Sequence, residues 1–76
     1  MKNKIRYYQL LDKNYDEIIK GCDNPANIPD NTNLNTAKKM ARQWMAKNNI
    51  TYAELWINEC DEEGNDEIID HREIKI

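Results

Sequence analysis

Two stretches rich in β-branched and aromatic residues flank one acidic turn, and this arrangement constrains the fold most. Ile50 to Cys60 contains Ile, Thr, Tyr and Trp, and Glu67 to Ile76 carries four isoleucines. Such residues suit a pleated, half-buried surface. Between them runs Asp61-Glu62-Glu63-Gly64-Asn65-Asp66. A three-residue loop with Gly64 in the left-handed position fits a type I turn followed by a G1 bulge. The reading is a β-hairpin in which Asp61 faces Asn65. That register sets Ile57 opposite Ile69, Glu54 opposite Arg72, Tyr52 opposite Ile74 and Ile50 opposite Ile76. It brings opposite charges and apolar pairs together.

A hairpin alone is marginal in water, so its apolar face needs a partner. The chain offers one helix. Ala37, Met40, Ala41, Trp44 and Met45 recur at the 3.6-residue period of a single face, and Leu34 extends the stripe. The interior has no Gly or Pro and is rich in good helix formers. Asn35 or Asn33 can cap its start. Asn48-Asn49 can stop it, because Asn tolerates the left-handed conformation past a helix end. The spacing predicts a helix over about 35–48.

Lys4 to Leu11 reads as a strand. Residues 12–21 allow a short helix capped by Asn14, or a turn into a second strand over about 16–21. Asn14-x-Asp16-Glu17-Ile18-Ile19 echoes Asn65-Asp66-Glu67-Ile68-Ile69, which favours the strand. Residues 22–33 hold two Pro and four Asn and read as a loop. The expected fold is one α+β domain over residues 1–76. It is a two-layer sandwich in the order ββαββ, a small, mostly antiparallel sheet with one amphipathic helix on one face. Its strands fall at about 4–11, 16–21, 50–60 and 67–76. Trp44 and Trp56 are expected to supply much of the core.

The sheet has more apolar surface than one helix can cover. One hairpin face carries Ile50, Tyr52, Glu54, Trp56 and Asn58 with Ile68, Asp70, Arg72, Ile74 and Ile76. The other carries Thr51, Ala53, Leu55, Ile57 and Glu59 with Glu67, Ile69, His71, Glu73 and Lys75. If Ala53, Leu55, Ile57 and Ile69 meet the helix, Tyr52 and Trp56 stand outward beside Glu54 and Arg72. If the first face meets it, the outward patch is Ala53, Leu55, Ile57 and Ile69. Either arrangement leaves an apolar patch of the kind contact surfaces use.

Charge is divided along the chain. Residues 1–50 hold nine Lys/Arg against five Asp/Glu, and residues 51–76 hold two against nine, so +4 and −7 combine to the net −3. Six carboxylates, those of Glu59, Asp61, Glu62, Glu63, Asp66 and Glu67, lie within nine residues around the turn. An acidic tip of this kind can dock on a basic surface and steer a partner over about a Debye length, roughly 8 Å at physiological salt. Lys38, Lys39, Arg42 and Lys47 sit on the helix away from its apolar stripe. With Lys2, Lys4 and Arg6 they offer an alternative, a basic patch for phosphates.

Catalytic and metal-binding signatures are missing from the sequence. His71 is the one histidine, and strand neighbours point to opposite faces, so Asp70 does not orient it by adjacency. Cys22 and Cys60 lack CxxC spacing, and with His71 they make three ligands, short of a zinc site. The acidic turn is contiguous and joins strands, unlike an EF-hand loop. No glycine-rich phosphate loop and no cofactor motif occurs. No run approaches the ~20 apolar residues of a membrane span. No apolar segment follows the basic start, so a cytoplasmic protein with reduced thiols is expected.

The functional expectation is a non-enzymatic protein-interaction module, an inhibitor or adaptor of the phage or mobile-element type. It would bind a protein partner or itself through Glu59, Asp61, Glu62, Glu63, Asp66, Glu67, Tyr52 and Trp56. The alternative is a weak nucleic-acid-binding module using Lys38, Lys39, Arg42 and Lys47.

Overall fold

The structure, a computed structural model, describes residues 3–76. Strand β1 (Lys4–Leu11) is followed by helix α1 (Leu34–Lys47), then by strands β2 (Tyr52–Asp61) and β3 (Asp66–Lys75). The three strands form one antiparallel sheet in the order β1-β2-β3. The helix packs on one face of it through Ala37, Ala41 and Met45, all fully buried. The expected α+β class, with one helix on a small antiparallel sheet, holds.

Local chemistry accounts for the helix ends. Asn33 caps the start, its side chain accepting from the amide of Thr36 at 2.9 Å. At the other end Asn49 adopts φ 57°. The amides of Ile50 and Asn49 return to the carbonyls of Met45 and Ala46, at 2.9 and 3.4 Å. This is a Schellman stop built on asparagine rather than glycine. Ala37 and Ala41 keep the helix side chains short where they meet the sheet. There the core is made with Tyr8, Leu10, Ile28, Ala53, Leu55, Ile57 and Ile74. Burying a side chain such as Leu55 stabilises the fold by about 1.5–3 kcal/mol. Trp44 is only half-buried and Trp56 lies on the far side of the sheet, so the aliphatic residues carry more of the core than the tryptophans do.

The order is βαββ rather than ββαββ. Residues 16–21 form neither a strand nor a short helix. They make two isolated bridges, Leu11 with Glu17 and Ile19 with Cys22. The turn that should start the strand is present. Asp12 accepts from the amides of Asn14 and Asp16, at 2.8 and 3.0 Å, and the chain doubles back for one pair. A strand there would need the free edge of β1, and other segments occupy that edge. The amide of Leu10 donates to the carbonyl of Asp23 at 2.7 Å. The amide of Arg6 donates to the side chain of Asn31 at 3.0 Å, and its carbonyl accepts from the Asn31 amide at 2.7 Å. The Tyr8 hydroxyl donates to the Thr32 carbonyl. The loop over 22–33 thus closes the β1 edge, which is how proteins blunt an exposed strand.

The hairpin register is also corrected. The turn forms as expected, and Cys60, Glu59 and Asn58 face Asp66, Glu67 and Ile68. Ile69 then bulges out. Beyond it Ile57 faces Asp70, Trp56 faces His71, Leu55 faces Arg72, Glu54 faces Glu73, Ala53 faces Ile74 and Tyr52 faces Lys75. The expected pairs Ile57–Ile69, Glu54–Arg72 and Tyr52–Ile74 are each displaced by one residue. One extra residue exchanges the faces of everything beyond it. The bulge sends Ile74 into the core and leaves Ile69 outside, 38% exposed.

Candidate functional site: the acidic hairpin and the outer sheet face

The acidic tip is held by Asp61. Its carboxylate accepts from the amides of Glu63 and Asn65, at 2.9 and 3.0 Å, and from the Asn65 side chain at 3.1 Å. The Gly64 amide donates to the Asp61 carbonyl at 3.1 Å, with Gly64 at φ 83°. A left-handed residue is required there, which glycine supplies without steric cost. These bonds, led by those from Asn65, hold the Asp61 carboxyl below the usual carboxylate range. Asp61 is therefore a structural anion, and its neighbours carry the exposed charge.

Those neighbours differ in how far they are exposed. Glu59 is half-buried and pairs with Arg6 at 3.6 Å. Asp66 raises the titration of the Cys60 thiol and, second to burial, that of the Tyr7 hydroxyl. Glu62 accepts from the Asn3 amide at 3.5 Å and is otherwise turned to solvent. Every residue from 62 to 69 is exposed, Glu63 and Glu67 included. Lys4, Glu59, Asp61, Asn65, Asp66 and Glu67 line a shallow cleft of about 270 Å³ at the tip. The exposed Ile68, 53% accessible, adjoins it.

The outer face of the sheet is the one opposite the helix. Ala53, Leu55 and Ile57 meet the helix, so Tyr52, Glu54 and Trp56 stand on the outer face. Because of the bulge their neighbour there is His71, not Arg72. This face is not an open aromatic patch. Tyr15 lies across it, its ring 5.5 Å from that of Trp56 in an edge arrangement, and the His71 ring is 6.0 Å away on the other side. Tyr15 has φ 63°, a conformation that costs a non-glycine residue about 1–2 kcal/mol. The Trp56 indole nitrogen is buried with no hydrogen-bond partner among the described residues.

Glu54 is buried, 3% exposed, in the middle of this face. The Tyr52 hydroxyl donates to it at 2.7 Å and lies 3.3 Å from Glu73. The hydrogen bond to Glu54, then burial, pushes the Tyr52 hydroxyl well above its ordinary titration range. The single Tyr52 proton is thus held on Glu54, with the Glu73 carboxylate as a more distant neighbour. His71 Nδ1 lies 4.0 Å from Glu54 and joins it as an ion pair when protonated. Asn58, also buried, donates to Gln9 at 3.0 Å, and Gln9 donates to Asp23 at 3.1 Å. Burying Glu54 and Asn58 is tolerable because each has these partners. Sequence reasoning missed the Glu54–Tyr52–Glu73–His71 group. Its signal was the alternation of β2, but the unseen bulge assigned His71 to the wrong face.

The basic residues are spread rather than gathered. Lys38 and Arg42 flank one side of the buried helix stripe, and Lys39 points away from it. Lys47 lies about 180° around the axis from Lys38 at 100° per residue. It sits on the rim of an apolar groove of about 720 Å³ with Ala26, Met40 and Trp44. Arg6 and Lys4 lie at the acidic end of the sheet, and Lys2 is outside the described residues. Among the described residues no cluster of three His, Cys, Asp or Glu side chains is arranged to hold a metal ion. Cys22 and Cys60 are free and half-buried. No described helix is long and apolar enough to cross a membrane. In comparisons with protein families, curated proteins and solved structures, nothing matches this chain.

Proposed function

We propose that this chain is a small non-enzymatic protein-interaction module, an inhibitor or adaptor that contacts a basic partner surface through the tip of the β2–β3 hairpin. One observation carries the reading. The buried run of β2 ends at Asn58, and every residue from 62 to 69 beyond it is exposed. That segment presents Glu62, Glu63, Asp66 and Glu67 together with Ile68 and Ile69. Charge at the rim gives orientation and on-rate, and the isoleucines give area to bury. Glu59 and Asp61 support the tip from behind. Tyr52 and Trp56 stiffen the sheet beneath it instead of touching the partner.

The experiment compares captures from the source cells on immobilised wild-type chain and on a Glu62→Gln, Glu63→Gln, Glu67→Gln variant. A basic protein is expected on the wild type and lost from the variant. A Lys39→Gln, Arg42→Gln variant should retain it. Equal capture by wild type and tip variant, or loss on the helix variant alone with nucleic acid in the eluate, overturns the reading.

A further inference from the structure

The sheet has one closed edge and one open one. Asn31 and Asp23 occupy the backbone of β1 at Arg6 and Leu10. No described segment makes a backbone hydrogen bond to the outer edge of β3, which is ten residues long. Among the described residues the His71 amide, turned from β2, bonds to the neighbouring Asp70 carboxylate alone, at 2.8 Å. An open edge of this length is a template for another strand.

We propose that the occupant is a second copy of this chain, its β3 paired antiparallel to the first about a two-fold axis at His71. The inference rests on the interaction-module reading in taking the hairpin as a contact surface, and it names what the edge binds. The charge order of β3 is the argument. With His71 on the axis, Asp70 faces Arg72 of the second copy. Let Ile69 bulge as it does against β2. Asp66 then faces Lys75 of the second copy, and Ile68 faces its Glu73. Each facing pair lies on one side of the sheet, so the bulge is accommodated rather than violated. By symmetry every acid–base pair occurs twice. Because β1 is closed, the pairing stops at a six-stranded sheet. One open edge makes a closed dimer, not a filament.

Sedimentation equilibrium of the full chain tests this between about 10 µM and about 1 mM. The expected mass rises to twice the 9.0 kDa of one chain. Lys75→Glu places like charges opposite at both ends of the pairing and should raise the dissociation constant about tenfold. Adding Asp66→Lys to it should restore the constant to within about threefold of wild type. Lys75 also pairs with Glu73 of its own strand at 3.7 Å, and that contact is absent in both variants, so it cannot produce the restoration. Asp66→Lys alone should weaken the dimer as Lys75→Glu does, which covers a single variant that fails to fold. A mass of one chain throughout, or a double variant no tighter than the singles, overturns the proposal. A monomer that still makes the tip-dependent complex removes the dimer alone. A dimer without that complex removes the earlier reading alone.

Discussion

Asp12 accepts hydrogen bonds from the amides of Asn14 and Asp16 as Asp61 does from those of Glu63 and Asn65, so two aspartates at opposite ends of the sheet hold the same turn. The fourth residue of each is left-handed, Tyr15 at φ 63° and Gly64 at φ 83°. The two turns differ in what that residue gives the fold. A Cβ on Gly64 would meet nothing within 4 Å, so Gly64→Ala should cost only the backbone penalty, about 1 kcal/mol. Chemical denaturation with an unchanged slope would confirm it.

Tyr15 pays its conformational penalty and covers Trp56. In a Trp44→Phe background, where Trp56 is the one tryptophan, Tyr15→Ala should shift the indole emission to the red. The fold, read by far-ultraviolet circular dichroism, should stay unchanged. Emission identical to the parent would mean that the ring contact does not shield the indole.

The bulge at Ile69 predicts an uneven mutational map. Leu55→Ala removes a fully buried side chain and should destabilise by about 2–5 kcal/mol. Ile69→Ala, which the unbulged register would place in the core opposite Ile57, should cost about 0.5 kcal/mol or less. Urea titrations of the two variants distinguish the registers.

Stability should fall at both ends of the pH scale. Asp61 and Asp70 are held below the ordinary carboxylate range, Asp61 mainly by Asn65 and Asp70 mainly by the His71 amide. The unfolded chain takes up protons first as pH drops, so their contribution is present above about pH 4 and lost below it. The Tyr52 hydroxyl is raised, chiefly by Glu54. The unfolded chain then loses its proton first, so stability declines as pH rises past about 10. Asp61→Asn should flatten the acid limb of a plot of Tm against pH, and Tyr52→Phe the alkaline limb.

These features were unequally legible in the sequence. The helix was clear because its stripe, its Asn33 cap and its Asn49 stop all use local chemistry. The acidic turn was clear for the same reason, through Asp61 and Gly64. Two things depended on tertiary competition and were not legible. The first was the failure of residues 16–21 to continue as a strand. The turn at Asp12 is a hairpin turn, and only the claims of Asn31 and Asp23 on the β1 edge stop the strand. The second was the bulge. Nothing local marks Ile69 as the extra residue in an Ile-Ile pair, yet it decides that His71 rather than Arg72 joins Trp56 and Glu54. Of the six acidic residues read at the tip, Glu62, Glu63, Asp66 and Glu67 are exposed, as a run of carboxylates is costly to bury, whereas Glu59 and Asp61 are half-buried.

The central claim is that the chain closes one sheet edge and offers the other for binding. Amide hydrogen exchange, read residue by residue by NMR at several protein concentrations, tests it most directly. The account predicts that the Arg6 and Leu10 amides are protected at every concentration, and that the His71 amide gains protection as concentration rises. Rapid exchange at Arg6 and Leu10, or a His71 rate that does not respond to concentration, would contradict it.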